Sequence, residues 1–129
     1  MKNNILLPLL LSLVAGMLAG QEAKLTSLLS KDLKESPGKE GLLIMVEYPP
    51  GASDPIHRHN AHGFIYVLEG SVVMQVKGGK QLTLTAGQTF YEGPEDDHLV
   101  GRNASETQPA KFLVFLVKEK GAPILVPIE

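Results

Sequence analysis

From Leu42 onward the chain is a succession of short apolar runs separated by Gly- and Pro-containing turns, and no other feature restricts its fold as strongly. Leu42 to Tyr48 is densely apolar and ends at Pro49-Pro50-Gly51. Phe64 to Leu68 is a second run, closed by Glu69-Gly70. In Ser71 to Lys77, Val72, Met74 and Val76 alternate with Gln75 and Lys77, the two-residue period of a strand with one buried face. Gly78-Gly79 is a two-residue hairpin signal. Leu82 and Leu84 then alternate with Thr83 and Thr85, Thr89 to Glu92 is short and aromatic, and His98 to Arg102 reads as a further strand before the polar loop Asn103 to Ala110. Lys111 to Lys118 is apolar on both faces, as expected of a strand that is central or covered by a partner chain. Even spacing, antiparallel turns and almost no helix predict an all-β fold, a small antiparallel β-barrel or jelly roll. At 129 residues there is room for one such domain, here 41–129, ending in an extended tail from Gly121.

The residues before it divide in two. Lys2 is followed by an almost wholly apolar stretch, Ile5 to Ala19, and by small residues at Gly16, Ala19 and Gly20. This is the pattern of a secretory signal peptide over 1–20, with cleavage near Ala19 or Gly20 and a periplasmic or secreted product. The rival reading, a membrane anchor, is disfavoured because the run is short for a span and contains Pro8, so no stable membrane span is expected after cleavage. Residues 21–40 read as a polar arm lying over the domain, with a helix-like patch at Leu25 to Leu29 and a break at Pro37-Gly38. The chain has no cysteine, so its stability must come from its core in any compartment. Removing the leader takes the formal charge from -2 to -3. A weakly acidic chain without a basic cluster is a poor partner for nucleic acid or an anionic membrane.

All four histidines lie in two stretches, His57, His59 and His62 in the first and His98 in the second. In an extended segment His57 and His59 share a face and Arg58 points away, so the pair is half of a first-row metal site. The first stretch has Gly51, five residues, His-x-His, a loop, a strand and Gly70. The second has Gly87, a strand, the Gly93-Pro94 loop and His98. Together, over Leu42 to Val117, they resemble the two motifs of the cupin superfamily. That resemblance implies a double-stranded β-helix in which His57, His59 and His98 match three metal ligands. The family's fourth ligand, a Glu, falls at Gly63, and its second-motif Pro and Asn fall one place early, at Gly93 and Arg102.

The missing carboxylate points to Glu92. It ends the Thr89 to Glu92 strand on the same face as Phe90, and an inward charge needs a partner or a metal. Two placements stay open for it, a ligand or base at the metal and a solvated rim residue. His62 is one place off the ligand register: strict alternation sends it to a loop or the rim, and a bulge in the loop would bring it to the site. Asp96 and Asp97 either make an acidic mouth or are a solvated loop, Arg102 and Asn103 are pocket or surface, and Tyr66 and Tyr91 matter only with a hydroxyl turned inward. The three imidazoles and one carboxylate suit a divalent Fe, Mn, Ni, Co, Cu or Zn. Two functional classes follow: a metal-dependent oxygenase, isomerase or lyase acting on a small molecule, and a non-catalytic module that binds a small ligand or senses a metal. The resemblance and the doubly apolar strand together imply a homodimer.

Overall fold

The computed structural model describes residues 22–129, so the expected signal peptide lies outside the described residues. Among the described residues there are ten strands and no helix: β1 (Lys24–Asp32), β2 (Lys39–Tyr48), β3 (His57–Arg58), β4 (His62–Glu69), β5 (Ser71–Val76), β6 (Leu82–Thr85), β7 (Thr89–Glu92), β8 (His98–Asn103), β9 (Ala110–Glu119) and β10 (Val126–Pro127). They form two five-stranded sheets, ordered β1-β2-β9-β4-β7 and β10-β3-β8-β5-β6, and every pairing is antiparallel. The all-β jelly-roll expectation is met. No helix long and apolar enough to cross a membrane occurs among the described residues.

Alternation decides what lies between the sheets. Leu42, Ile44, Val46 and Tyr48 of β2, Ile65 and Val67 of β4, and Phe112, Val114 and Leu116 of β9 point inward from one sheet. Val72, Met74 and Leu84 meet them from the other. The strand apolar on both faces, β9, is central in its sheet: its second face, with Leu113, Phe115 and Val117, is partly exposed on the outside. At the end of the core Lys118 is buried on the inward face of β9, where its ammonium meets Glu40 and the Glu119 carbonyl, each at 2.8 Å.

Two local expectations are corrected. The helix-like patch Leu25 to Leu29 lies inside β1, an edge strand paired along β2 from Lys24↔Glu47 to Asp32↔Glu40 with a bulge between Ser27 and Leu29. A five-residue helix cannot repay its own nucleation, whereas the open edge of β2 offers a ready set of hydrogen bonds. Gly78-Gly79 does not form a two-residue hairpin. Lys77 is drawn away by its amide bond to the Asp97 carbonyl (2.9 Å), β5 ends at Val76 and β6 resumes only at Leu82.

Candidate metal centre

Strand pairing brings the two histidine stretches together. β3 lies beside β8, with His57 opposite His98, and β4 lies beside β7, with Gly63 opposite Glu92. His57 and His59 share the inward side as their spacing predicts. Arg58 points the other way and binds Asp97, with Nε 3.0 Å and Nη2 2.5 Å from Oδ1. Asn60, at φ 51°, takes the left-handed turn that leads into β4, a conformation Asn tolerates better than most residues. His57, His59, Glu92 and His98 converge, and one donor atom from each lies within 4.8 Å of all the others. Glu92 is therefore inward, only 2 % exposed, and not a rim residue.

The protonation of the first two rings follows from their partners. His57 Nδ1 is 2.8 Å from the Pro55 carbonyl and His59 Nδ1 is 2.6 Å from the Ile124 carbonyl. A carbonyl only accepts, so both Nδ1 atoms carry a proton and donate it. In the neutral rings the two Nε2 lone pairs then face each other at 3.2 Å. Two nitrogens about 2.0–2.1 Å from one ion stand about 2.9 Å apart at a right angle and about 3.4 Å apart at the tetrahedral angle. The spacing fits a shared cation.

Glu92 Oε1 lies 2.6 Å from His59 Nε2 and Oε2 lies 2.9 Å from His98 Nδ1. These separations are short enough for hydrogen bonds, but the angles do not form them. Both carboxylate oxygens and both His98 nitrogens stay buried without a hydrogen-bond partner. Such atoms are costly unless something else satisfies them, and a divalent ion between them would do so. The residues present fit the metal that the donor set implies.

Electrostatics favour the ligating form at Glu92 and His57 and, before any ion is bound, oppose it at His59. Burial alone would raise the Glu92 pKa, but the adjacent His59 and His98 rings outweigh it and hold it at about 2. Burial works to lower the His59 pKa, and contact with Glu92 reverses that and raises it. Burial lowers the His57 pKa and favours the neutral, ligating form.

These groups open onto a cavity of about 500 Å³, its mouth included, with apolar walls from Ile44, Val46, Ile65, Met74, Phe112 and Leu116. Ile124 and Leu125 of the C-terminal tail also line it. The tail is held there by β10 pairing with β3 and by the Ile128 amide, which donates to the Ile56 carbonyl at 3.0 Å.

Other candidates lie elsewhere. His62 is exposed, with Nδ1 2.7 Å from the Tyr91 hydroxyl on the outer face. Tyr66 and Tyr91 are about half exposed there and put no hydroxyl inside. Asp96 accepts from the Gly93 amide (2.6 Å) and Asp97 holds Arg58, so neither makes a free acidic mouth. Asn103 is buried and structural: Nδ2 reaches the Tyr48, Pro49 and Gln108 carbonyls, and Oδ1 accepts from the Ser105 amide. Sequence reasoning missed Tyr48 and Asp54, which line the cavity and bond to each other. Tyr48 was detectable, because it shares its parity with Leu42, Ile44 and Val46. Asp54 sits in a loop with no period to place it.

Residues 44–116 match the profile of the Cupin domain family. No curated protein matches the chain. Among solved structures, a double-stranded β-helix protein of Klebsiella pneumoniae superposes with a TM-score of 0.65 at 16% identity, over 84% of this chain and 85% of that one. The polyketide cyclase RemF of Streptomyces resistomycificus gives 0.61 at 22% identity, over 84% and 72%. A DMSP lyase of Ruegeria pomeroyi gives 0.60 at 21% identity over 67% of this chain, which spans only 42% of the lyase's length. At such identities these likenesses concern the fold, whereas the profile covers more than half of the sequence, and the chain belongs to the cupin domain family.

Proposed function

We propose that this cupin holds a divalent transition metal on His57, His59, His98 and Glu92 and is a metal-dependent enzyme acting on a small molecule. The observation that carries the reading is the set of buried, unsatisfied donor atoms of Glu92 and His98 facing the paired Nε2 atoms of His57 and His59. A metal at this point would supply Lewis acidity toward a substrate oxygen or, if redox-active, a site for dioxygen. The chain's own part is to exclude water with the apolar walls and to fix two imidazoles through the Pro55 and Ile124 carbonyls. Glu92 serves as a ligand or takes up a proton from substrate bound beside it. The small-molecule enzymes among its structural neighbours, the lyase and the cyclase, support the reaction class without naming the substrate.

The second reading, a non-catalytic binding or metal-sensing module, rests on the same cavity. If all four donors are ligands, Tyr48 and Asp54 are the polar side chains that remain there among the described residues. Elemental analysis of protein purified without a histidine tag separates the two. A bound redox metal supports oxygen chemistry, and zinc supports a lyase, isomerase or hydrolase. Absence of metal under every loading condition moves the assignment to the binding module.

Export and pairing belong to the same proposal. The apolar leader supports a periplasmic or secreted mature protein beginning near Gly20 or Gln21, with no membrane span and no nucleic-acid partner. Intact mass from the native host tests this, and an uncleaved chain in the membrane fraction counts against it. The exposed aromatic outer face supports a homodimer.

A further inference from the structure

Among the described residues, six polar side chains line the cavity: Tyr48, Asp54, His57, His59, Glu92 and His98. Four of them belong to the metal centre. What remains is a single pair: the Tyr48 hydroxyl donates to Asp54 Oδ2. The pair is anchored at both residues. The Tyr48 ring is fully buried and packs edge-on against Phe112 with centroids 5.0 Å apart. The Asp54 amide donates to the Gly101 carbonyl at 2.8 Å. Gly101 keeps the approach open, because a Cβ there would stand 3.3 Å from each of Asp54 Oδ2, Tyr48 Oη and His98 Cε1. The pair therefore stands next to the metal centre, on the His98 side.

The hydrogen-bonding sense of the pair is fixed. Burial and the Asp54 carboxylate push the Tyr48 pKa well above its ordinary range, so the hydroxyl keeps its proton. That proton is committed to Asp54, which leaves only acceptor lone pairs for a guest. The net charge is constrained as well. A divalent ion with neutral imidazoles is balanced by Glu92 and Asp54, so a neutral guest leaves the cavity neutral, while an anionic guest adds an uncompensated charge between apolar walls.

Resting on the metal reading above, the geometry points to Asp54, oriented by Tyr48, as the specificity-determining group of the cavity. It selects a neutral, largely apolar small molecule that carries an oxygen for the metal and, next to it, a hydroxyl or N–H that donates to Asp54. An α-hydroxyketone is the simplest such molecule. Sites built to bond a hydroxyl reject the analogue that lacks it, because their own polar group is then left unpaired.

The test uses the full chain loaded with zinc, and zinc stoichiometry and affinity are measured first by chelator competition. Three probes of similar size follow by calorimetry or ligand-observed NMR: α-hydroxyacetophenone, propiophenone (methyl in place of the hydroxyl) and phenylglyoxylate (anionic). The hydroxyketone is expected to bind about 10- to 100-fold tighter than propiophenone and to outcompete phenylglyoxylate. Asp54→Asn turns an amide N–H₂ toward the guest, so it should erase the preference for the hydroxyl and favour phenylglyoxylate, the probes being compared at zinc concentrations that saturate each variant. Tyr48→Phe keeps the ring packing and should reduce the preference by a smaller factor. Equal binding of all three probes to zinc-loaded protein, or unchanged discrimination in Asp54→Asn, overturns the assignment. Failure to bind zinc or any other divalent transition metal overturns the metal reading instead, and the hydroxyl preference is then read in the metal-free protein, where its absence sinks the proposal too.

Discussion

A carboxylate at position 92 needs an empty volume at position 63. The two residues face each other across β4 and β7, and a Cβ at Gly63 would come within 3.0 Å of Glu92 Cγ and 3.3 Å of Oε1. Gly63 has no positive φ, so its backbone does not require glycine; it is the close approach of Glu92 that favours a residue without a Cβ there. Gly63→Ala should therefore displace the carboxylate by a few tenths of an ångström. The expected results are a stability loss of about 1 kcal/mol and zinc binding weaker by about tenfold, read by thermal melts and chelator competition. Unchanged zinc binding would show that the position of Glu92 is immaterial. Glu92→Gln preserves size and removes charge, and it should weaken zinc binding about as much as His98→Ala does. If it binds metal as tightly as the parent, Glu92 is no ligand. Sequence parity with Phe90 placed Glu92 inward as one of two options, and the register pairing with Gly63 decides between them. That pairing joins residues far apart in the chain, and no local period encodes it. The same reason hides the Tyr48–Asp54 pair, half of which comes from an aperiodic loop.

Elements too short to carry a pattern organise this centre. β3 has two residues, yet it orients His57 toward His98 and receives β10 on its other side. The alternation of His57, Arg58 and His59 was readable because period two needs only three residues to show itself. The docking of the C-terminal tail was not, since Gly121 to Glu129 has two prolines and no alternation, and reads simply as an extended end. Yet the Ile124 carbonyl fixes the His59 tautomer, and Ile124 and Leu125 close part of the cavity. Tail docking and metal binding should therefore be coupled, and coupling is reciprocal. A chain ending at Ala122 is expected to bind zinc about 10- to 100-fold more weakly, the usual consequence of losing an outer partner of a ligating histidine. In the intact chain, zinc should slow hydrogen exchange at the amides of Val126 and Ile128. Exchange there that ignores zinc, together with undiminished affinity in the truncated chain, would refute the coupling.

At the scale of the molecule, alternation along the strands was enough to predict a small antiparallel β-barrel or jelly roll, which the structure realises as two five-stranded sheets around one core. The ambiguity lay in β9, where both faces are apolar, and the structure explains it. One face meets Ile44, Val72 and Met74 inside, while the other, through Leu113 and Phe115, joins Leu43, Phe64, Tyr66 and Tyr91 outside. Phe64 stands 5.3 Å from Tyr91 and 6.3 Å from Phe115 between ring centroids, so the outer residues form one contiguous patch. The arm expected over the domain does not cover this face. It runs instead as β1 along the edge of β2, on the side away from β4 and β7 where the aromatics cluster. A contiguous exposed apolar patch marks a contact surface, and in the proposed homodimer a second copy would provide the same apolar surface in return. Light scattering on the purified protein should give twice the single-chain mass. Phe115→Lys, a charge placed 39 % exposed at the middle of the patch, should convert it to a monomer with zinc binding intact, since that side chain faces away from the metal centre. A monomeric mass for the parent would reject the dimer, and a dimeric Phe115→Lys would place the interface on another face.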